Sequence, residues 1–531
     1  MPRVRWQMGL LPLVVGAWVA AAEAIPLESG LITGSVVAQG DVRVYKAIPF
    51  AAPPVGELRW RPPQPPKPWE AVRACSEFGP WCPQPKPLMG RELGPLSEDC
   101  LYLNVWTPAR KPDDKLPVMV WIHGGGHTTG SGASAYYDGE RLAREGAVVV
   151  TINYRLGPFG YLAHPLLSKE SERGVSGNYG LLDQIAALTW VKRNIAAFGG
   201  NPECVTIFGE SAGAVSVCRL MVSPLAKGLF HRAIAESGGA HGHNRHLREL
   251  REGMEPMERV GEQIAEALGC HKEKDPLAAL RARSYQELLD ASNPNQGLFG
   301  KGTKFGPVVD GWALPDDPVV LFDAGKQHDV PFMVGSNADE GSVFMQQLPV
   351  RRPAGYRWLV RRRFGDHADA VEKLFPVGGG QDAQAAFTRM VGVYGFVAPA
   401  RFLARSMERV QSKAYLYHFT RVPPNERAKR LGAFHALEIA YVFGTLEGKP
   451  GFDEKDLALS KTMRKCWARF AATGDPNADG LPQWPAYRKD TDQYLEFGDE
   501  VKPKAGLYKE ACDLFDRISP DIRRQGKPAE F

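Results

Sequence analysis

Cysteine is scarce: the 531-residue chain has 8. That is too few for a disulfide-built scaffold, so the fold must rest on an apolar core. A composition that is 44% hydrophobic and 24% charged supplies one. An excess of one charge is also missing. Sixty-five Lys and Arg face 60 Asp and Glu, for a net +5. No long basic run interleaves with aromatics, which excludes a nucleic-acid partner. Arg361-Arg362-Arg363 reads as a solvated helix face. Past the N-terminus no apolar run reaches membrane-spanning length, so no stable membrane insertion is expected. There is no Asn-x-Ser/Thr sequon, no internal repeat and no low-complexity linker. His241, His243 and His246 crowd together, but no carboxylate or cysteine at suitable spacing completes a ligand set. Neither a metal nor a cofactor is expected.

The first 24 residues differ from the rest. Arg3 and Arg5 precede an apolar run, Met8–Ala22, and Ala22-Glu23-Ala24 is a small-x-small cleavage signal. The pattern predicts a signal peptide over residues 1–24 and export, to the periplasm or beyond the cell. Residues 25–531 then read as one α/β domain. Strands are expected at Leu31–Val37, Val42–Ala47, after Cys100, and at Val118–Ile122 and Ala147–Asn153. A helix follows at Leu181–Ala197, where apolar residues recur with helical period. Further strands are expected at Val205–Phe208, Pro307–Gly311, Val330–Val334, Ala414–Phe419 and Tyr494–Phe497. Helices are expected at Met463–Ala472 and Tyr508–Ile518. Alternation of strand and helix predicts a mostly parallel sheet covered on both faces. Two polar helical insertions, near 241–300 and 342–410, are expected to cap one end of it.

The chain is organised around Val205–Ala214. Val-Thr-Ile-Phe reads as a buried strand, and Ala212 onward as a helix. Between them stands Gly209-Glu210-Ser211-Ala212-Gly213, a G-x-S-x-G turn. Such a turn lifts a serine hydroxyl above the sheet beside a helix N-terminus, where backbone N–H groups favour a developing negative charge. Upstream, Val118–Ile122 runs into His123-Gly124-Gly125-Gly126. Successive glycines after a buried strand let backbone N–H groups converge on one point, as an oxyanion hole requires. A serine nucleophile needs a base, and the base needs an acid to hold it. Downstream lie Asp339 and Glu340, just past a strand, and His435 in a later loop. From the residues alone, either Asp339 or Glu340 is the acid.

The sequence resembles the type-B carboxylesterases, the family of cholinesterases and bacterial para-nitrobenzyl esterases. The resemblance runs from about Gly30 to Phe515. It rests on Glu98-Asp99-Cys100-Leu101-Tyr102-Leu103-Asn104, on His123–Gly126 and on Phe208–Gly213. It also rests on Asn337-x-Asp339-Glu340-Gly341, on His435-x-x-Glu438, and on Thr473–Asn477 followed by Trp484-Pro485. It implies an α/β-hydrolase fold and hydrolysis of a small carboxylic ester without cofactor. It implies Ser211 as nucleophile, Glu340 as acid, His435 as base, and Gly125, Gly126 and Ala212 as oxyanion donors. Glu210 resembles the family's buried carboxylate near the leaving group, or else is a structural acid. Ser237 and Glu438 are expected behind His435. A lipase or amidase on the same site, and a non-catalytic binding protein on the same fold, are the alternatives. A base that must be neutral implies activity rising with pH between about 5.5 and 7.5.

Two departures narrow the reading. Cholinesterases carry a tryptophan in the loop before the Glu-Asp-Cys motif, whereas no aromatic lies between Cys82 and Cys100 here, which argues against choline esters. The family's second disulfide, around Cys270, has no clear partner. Cys82 and Cys100 bracket an irregular loop in a chain with an export signal, and a disulfide between them is expected. The other cysteines read as free or buried thiols. Before Phe305, Gly300–Lys304 offers no bulky aromatic to close an acyl pocket, so acyl chains of about four to eight carbons are expected to outperform acetyl.

Overall fold

The structure, a computed structural model, describes residues 23–86, 93–241, 244–251, 253–345, 347–378 and 383–524. Most of the expected leader and His243 lie outside the described residues.

Eleven strands form the main sheet. In chain order they are β1 Ser35–Val36, β2 Arg43–Pro49, β3 Tyr102–Thr107, β4 Leu116–Ile122, β5 Val148–Ile152, β6 Gly200–Glu210, β7 Arg232–Glu236, β8 Phe332–Asn337, β9 Ala414–Phe419, β10 Gln493–Phe497 and β11 Val501–Ala505. Across the sheet the order is β11-β10-β9-β8-β7-β6-β4-β5-β3-β2-β1. From β5 to β10 all neighbours are parallel, and the pairs at both edges are antiparallel. Alternate residues feed two cores. Val118, Val120 and Ile122 enter one with Val205 and Ile207, while Met119 and Trp121 enter the other with Phe208 and Ile234. That period of two is what a strand covered on both faces must show. The mostly parallel, helix-covered sheet expected from the sequence is therefore present.

Chain order reverses around β4. After β4 the chain pairs β5 on one side, then returns to lay β6 on the other. Loops leaving β4 and β6 diverge there, and such a switch point opens a crevice at the carboxyl ends of the strands. The glycine loop follows β4 and Ser211 follows β6.

One local expectation is corrected, and two strands had not been expected. Pro307–Gly311 is not a strand; only Val309 pairs, in an isolated bridge with His246. The Val308 N–H is taken by Asn178 Oδ1 at 2.8 Å, and Asp310 Oδ1 accepts the N–H groups of Trp312 and Leu314 at 2.9 and 3.0 Å, so the chain turns. β7 escaped notice because Arg-Ala-Ile-Ala-Glu is short and charged at both ends, yet it is buried between β6 and β8. β11, Val-Lys-Pro-Lys-Ala, is an exposed edge strand, where a sheet tolerates proline.

The 241–300 and 342–410 segments both hold helices. The first holds Met257–Ala267, Pro276–Arg281 and Tyr285–Ser292, and the second runs from Pro353–Phe364 to Ala398–Ser406. Segments of both line the cavity over the switch point. Ala398–Ser406 is no cap, because it packs against β8 and β9. No helix among the described residues is long and apolar enough to cross a membrane.

Candidate active site

Ser211 joins β6 to the helix Ala212–Val222 with φ 56° and ψ −121°, a conformation a residue with a Cβ adopts only under strain. Packing holds it there. The Ser211 N–H donates to Glu236 O at 2.9 Å, and Ser211 O accepts from Val215 N at 2.9 Å. The glycines around it are required by space. A Cβ on Gly213 would sit 1.9 Å from Ile122 O, and one on Gly209 2.5 Å from the same atom. A Cβ on Gly238 would sit 2.4 Å from Ser211 O. The loop after β4 is fitted as closely. A Cβ on Gly124 would lie 2.6 Å from Glu210 O and 3.1 Å from Ser211 Cβ, and Gly125 adopts φ 109°. Gly125, Gly126, Ala212, Ser211, Glu210 and His435 all border one cavity of about 710 Å³.

His435 is 8% exposed and lies against the rings of Phe396 and Phe344, with centroids 4.9 and 5.2 Å away. Its Nδ1 is 2.6 Å from Glu340 Oε2. Glu340 is fully buried, and its Oε1 accepts the Asn337 N–H at 2.7 Å. The geometry thus separates the two candidate acids. Asp339 does not touch His435; its Oδ2 accepts the Ala433 N–H at 2.8 Å, and its own N–H donates to Ala433 O at 3.0 Å. Asp339 ties down the loop, and Glu340 meets the ring that loop presents.

Ser211 Oγ makes no hydrogen bond among the described residues. His435 Nε2 faces Glu210 Oε1 instead, at 3.1 Å. The imidazole is thereby bracketed by two carboxylates. Behind them, Glu438 Oε1 accepts from Ser237 Oγ at 3.1 Å, and its Oε2 accepts from Asn337 Nδ2. Ser237 and Glu438 therefore form one network with Asn337, whose own N–H holds Glu340. A fourth acid, Glu236, was not singled out from the sequence. It takes Trp467 Nε1–H at 2.7 Å and is fully buried. Its place directly before Ser237 at a strand end was the available signal.

Burial and charge compete across this cluster. Burial disfavours the His435 cation, but Glu210, Glu340 and, further off, Glu438 outweigh it and lift its pKa to about 9. Burial, with Glu210 nearby, pushes Glu236 to about 8 despite the bond from Trp467, and burial also raises Glu438 well above the carboxylate range. No local feature of the sequence marks Glu210 as the neighbour of Nε2, and the expectation of an ionisation near neutrality took no account of it.

The expected histidine cluster has other uses. His241 packs edge-on against Phe402 at 4.8 Å, and the backbone of His246 pairs with that of Val309. Cys82 and Cys100 are both buried and unbridged, with a hydrogen bond between their thiols that raises the Cys100 pKa. Cys82 Sγ also accepts the Leu156 N–H at 3.2 Å.

Comparison with known proteins agrees with this geometry. The pattern of the family described as "Carboxylesterase family" matches residues 21–515. The chain is 39% identical to a fumonisin B1 esterase of Sphingopyxis macrogoltabida over 90% of this chain and 87% of that one. It is 35% identical to a para-nitrobenzyl esterase of Bacillus subtilis over 90% of this chain and 95% of that one. A solved PNB esterase superposes with a TM-score of 0.80 at 33% identity, covering 93% of this chain and 99% of that one. With a strained serine, a glycine loop and a histidine–glutamate pair around one cavity, the chain belongs to the carboxylesterase family: it is a serine hydrolase of carboxylic esters on the α/β-hydrolase fold.

Proposed function

We propose that the protein cleaves esters of short-to-medium acyl chains through an acyl-enzyme. Ser211 attacks the ester carbonyl, and His435 takes its proton and returns it to the leaving alcohol. Glu340 holds the ring and stabilises its cation, and the N–H groups of Gly125, Gly126 and Ala212 receive the oxyanion. Water then releases the acid. The observation that carries this reading is the strained Ser211, set on the same cavity as a histidine whose far nitrogen is 2.6 Å from a buried carboxylate.

Chain length follows from the cavity wall. Leu298, Phe299, Phe344, Val391 and Phe396 give it an apolar side. Each methylene buried there gains about 0.8 kcal/mol, a few-fold in kcat/KM per carbon until the wall ends. A series of para-nitrophenyl esters from about two to sixteen carbons is expected to peak between about four and eight. A peak at acetyl, or at sixteen carbons, counts against this reading.

The pH dependence has a definite sign. His435 accepts a proton only when neutral, and its carboxylate neighbours raise its pKa to about 9. Activity is therefore withheld below that value and gained as pH rises through it. The kcat/KM profile is expected to climb on an alkaline limb. Glu210→Gln removes the charge facing Nε2, so the limb should move to lower pH. A profile already flat from pH 6, or unmoved by Glu210→Gln, contradicts this account.

Arg3, Arg5, the apolar run and Ala22-Glu23-Ala24 support export, to the periplasm or the exterior. In that oxidising setting the adjoining thiols of Cys82 and Cys100 close into a disulfide worth about 3 kcal/mol. Peptide mapping without reductant should recover the two joined; recovery of both as free thiols excludes the bridge.

A further inference from the structure

Arg219 lies on the helix that Ser211 opens. With Ala212 and Val215 it occupies one helix face, and all three border the cavity. It is 2% exposed. A guanidinium removed from water is unfavourable unless an anion meets it. Two other buried arginines obey that rule. Arg155 presents Nε and Nη2 to Asp183 at 2.8 and 2.7 Å, and Arg401 presents the same pair to Asp492 at 2.8 and 2.8 Å.

Arg219 has no such carboxylate among the described residues. Nη1 donates to Gly239 O at 2.7 Å and to Val215 O at 3.4 Å. Nη2 donates to the Asn244 side-chain oxygen at 2.6 Å, and Nε meets no acceptor. The edge that takes a carboxylate in Arg155 and Arg401 here meets one neutral amide. Asp317 makes no hydrogen bond to Arg219 and attracts it only at longer range; Asn244, whose Nδ2 donates to Asp317 at 3.2 Å, is bonded to both. The other oxygen of Asp317 accepts the Val319 N–H at 2.8 Å. Burial lowers the Arg219 pKa, but a guanidinium keeps its charge in any protein setting.

The remaining charges on the wall do not cancel it. Arg245, Lys304 and Arg363 also border the cavity, as do Glu210, Asp317 and Asp516. Of these acids, Glu210 already sits on His435 Nε2, and Asp516 is engaged by Arg405. Arg219 follows Ala212 by seven residues, roughly 10 Å along the helix axis at 1.5 Å per residue. A helical side chain leans back toward the N-terminus, which shortens the reach to the nucleophile.

We propose that the esters turned over here carry a carboxylate several bonds from the scissile carbonyl, and that Arg219 binds it. This rests on the ester-hydrolase reading and adds the class of substrate to it. The carboxylate stands on either the acyl or the alcohol portion, and paired substrates separate the two. For the acyl arm, para-nitrophenyl hydrogen suberate is compared with its neutral terminal amide. For the alcohol arm, 6-acetoxyhexanoate is compared with 6-acetoxyhexanamide, with acetate release followed by titration.

In one arm the wild-type enzyme is expected to favour the carboxylate over the amide by about tenfold or more in kcat/KM. Arg219→Gln should bring that ratio to near one, and Arg219→Lys should keep part of it. A wild-type ratio near one in both arms overturns the proposal without any variant, so a misfolded Arg219→Gln protein cannot shelter it. A ratio that survives Arg219→Gln overturns it as well. A protein inert to all four substrates that also leaves Ser211 unlabelled by a fluorophosphonate overturns the ester-hydrolase reading, and this inference with it. Inertness with Ser211 still labelled overturns the substrate class alone.

Discussion

Replacing Ser211 by alanine is expected to lower kcat/KM by about 10⁴-fold or more, equivalent to about 5 kcal/mol or more of transition-state stabilisation. The oxygen removed is the one that forms the acyl bond, and the glycine loop and histidine alone leave only residual rate. Stability should hardly change, since alanine keeps a Cβ and hence the strain at φ 56°, ψ −121°. Ser211→Gly makes the sharper control. It should be equally inactive, yet about 1 kcal/mol more resistant to denaturant than the alanine protein, because glycine alone adopts that conformation freely. A fluorophosphonate should label the wild-type chain at one serine and leave both variants untouched. Labelling that persists in Ser211→Ala places the nucleophile elsewhere.

Glu340→Gln should cost nearly as much, about 10³- to 10⁴-fold in kcat/KM. The carboxylate has both oxygens committed as acceptors, one to His435 Nδ1–H at 2.6 Å and one to the Asn337 N–H at 2.7 Å. A glutamine must turn its NH2 toward one of those donors. If it faces His435, Nδ1 becomes the acceptor, and the proton moves to Nε2, where it blocks proton transfer from Ser211. If it faces Asn337, two N–H groups oppose each other in a dry site. Asp339→Asn is the counterpart. Asp339 holds the Ala433 N–H and does not touch His435, so its loss should appear chiefly in melting temperature, with kcat/KM within about tenfold of wild type. Equal catalytic losses in the two variants remove the distinction drawn between them.

How far the sequence could be read depended on whether the deciding physics was local. The elbow was legible because strand, tight turn and helix follow one another, and Ala212 is the first helical residue, as its sequence predicts. β4, the Val205–Phe208 part of β6 and β9 were legible because strands buried on both faces read as near-continuous runs of apolar, aromatic and β-branched residues. β7 was not, since its burial comes from neighbours distant in sequence. The acid was ambiguous for the same reason. Asp339 and Glu340 are adjacent, and only the placement of the 432–435 loop decides which carboxylate meets the ring. Arg219 carried no local mark either. It is the one charged residue of a helix that is otherwise apolar or small, and only the fold shows that nearly every face of that helix is buried.

The close fit of Gly213 and Gly209 to the Ile122 carbonyl has a consequence for how this enzyme can be remodelled. That one carbonyl keys the end of β4 to the turn after β6, so the nucleophile and the glycine loop move as a single block. Much of the cavity wall instead comes from Asn295–Phe299 and Val391–Ala398, segments that the two insertions supply. Arg219 apart, which the nucleophile's own helix carries, the reaction and the shape of the wall thus reside in separable parts of the chain. Libraries confined to the wall segments can exchange substrates while the catalytic block stays intact, whereas side chains introduced at Gly124, Gly209, Gly213 or Gly238 should be purged from any population selected for activity.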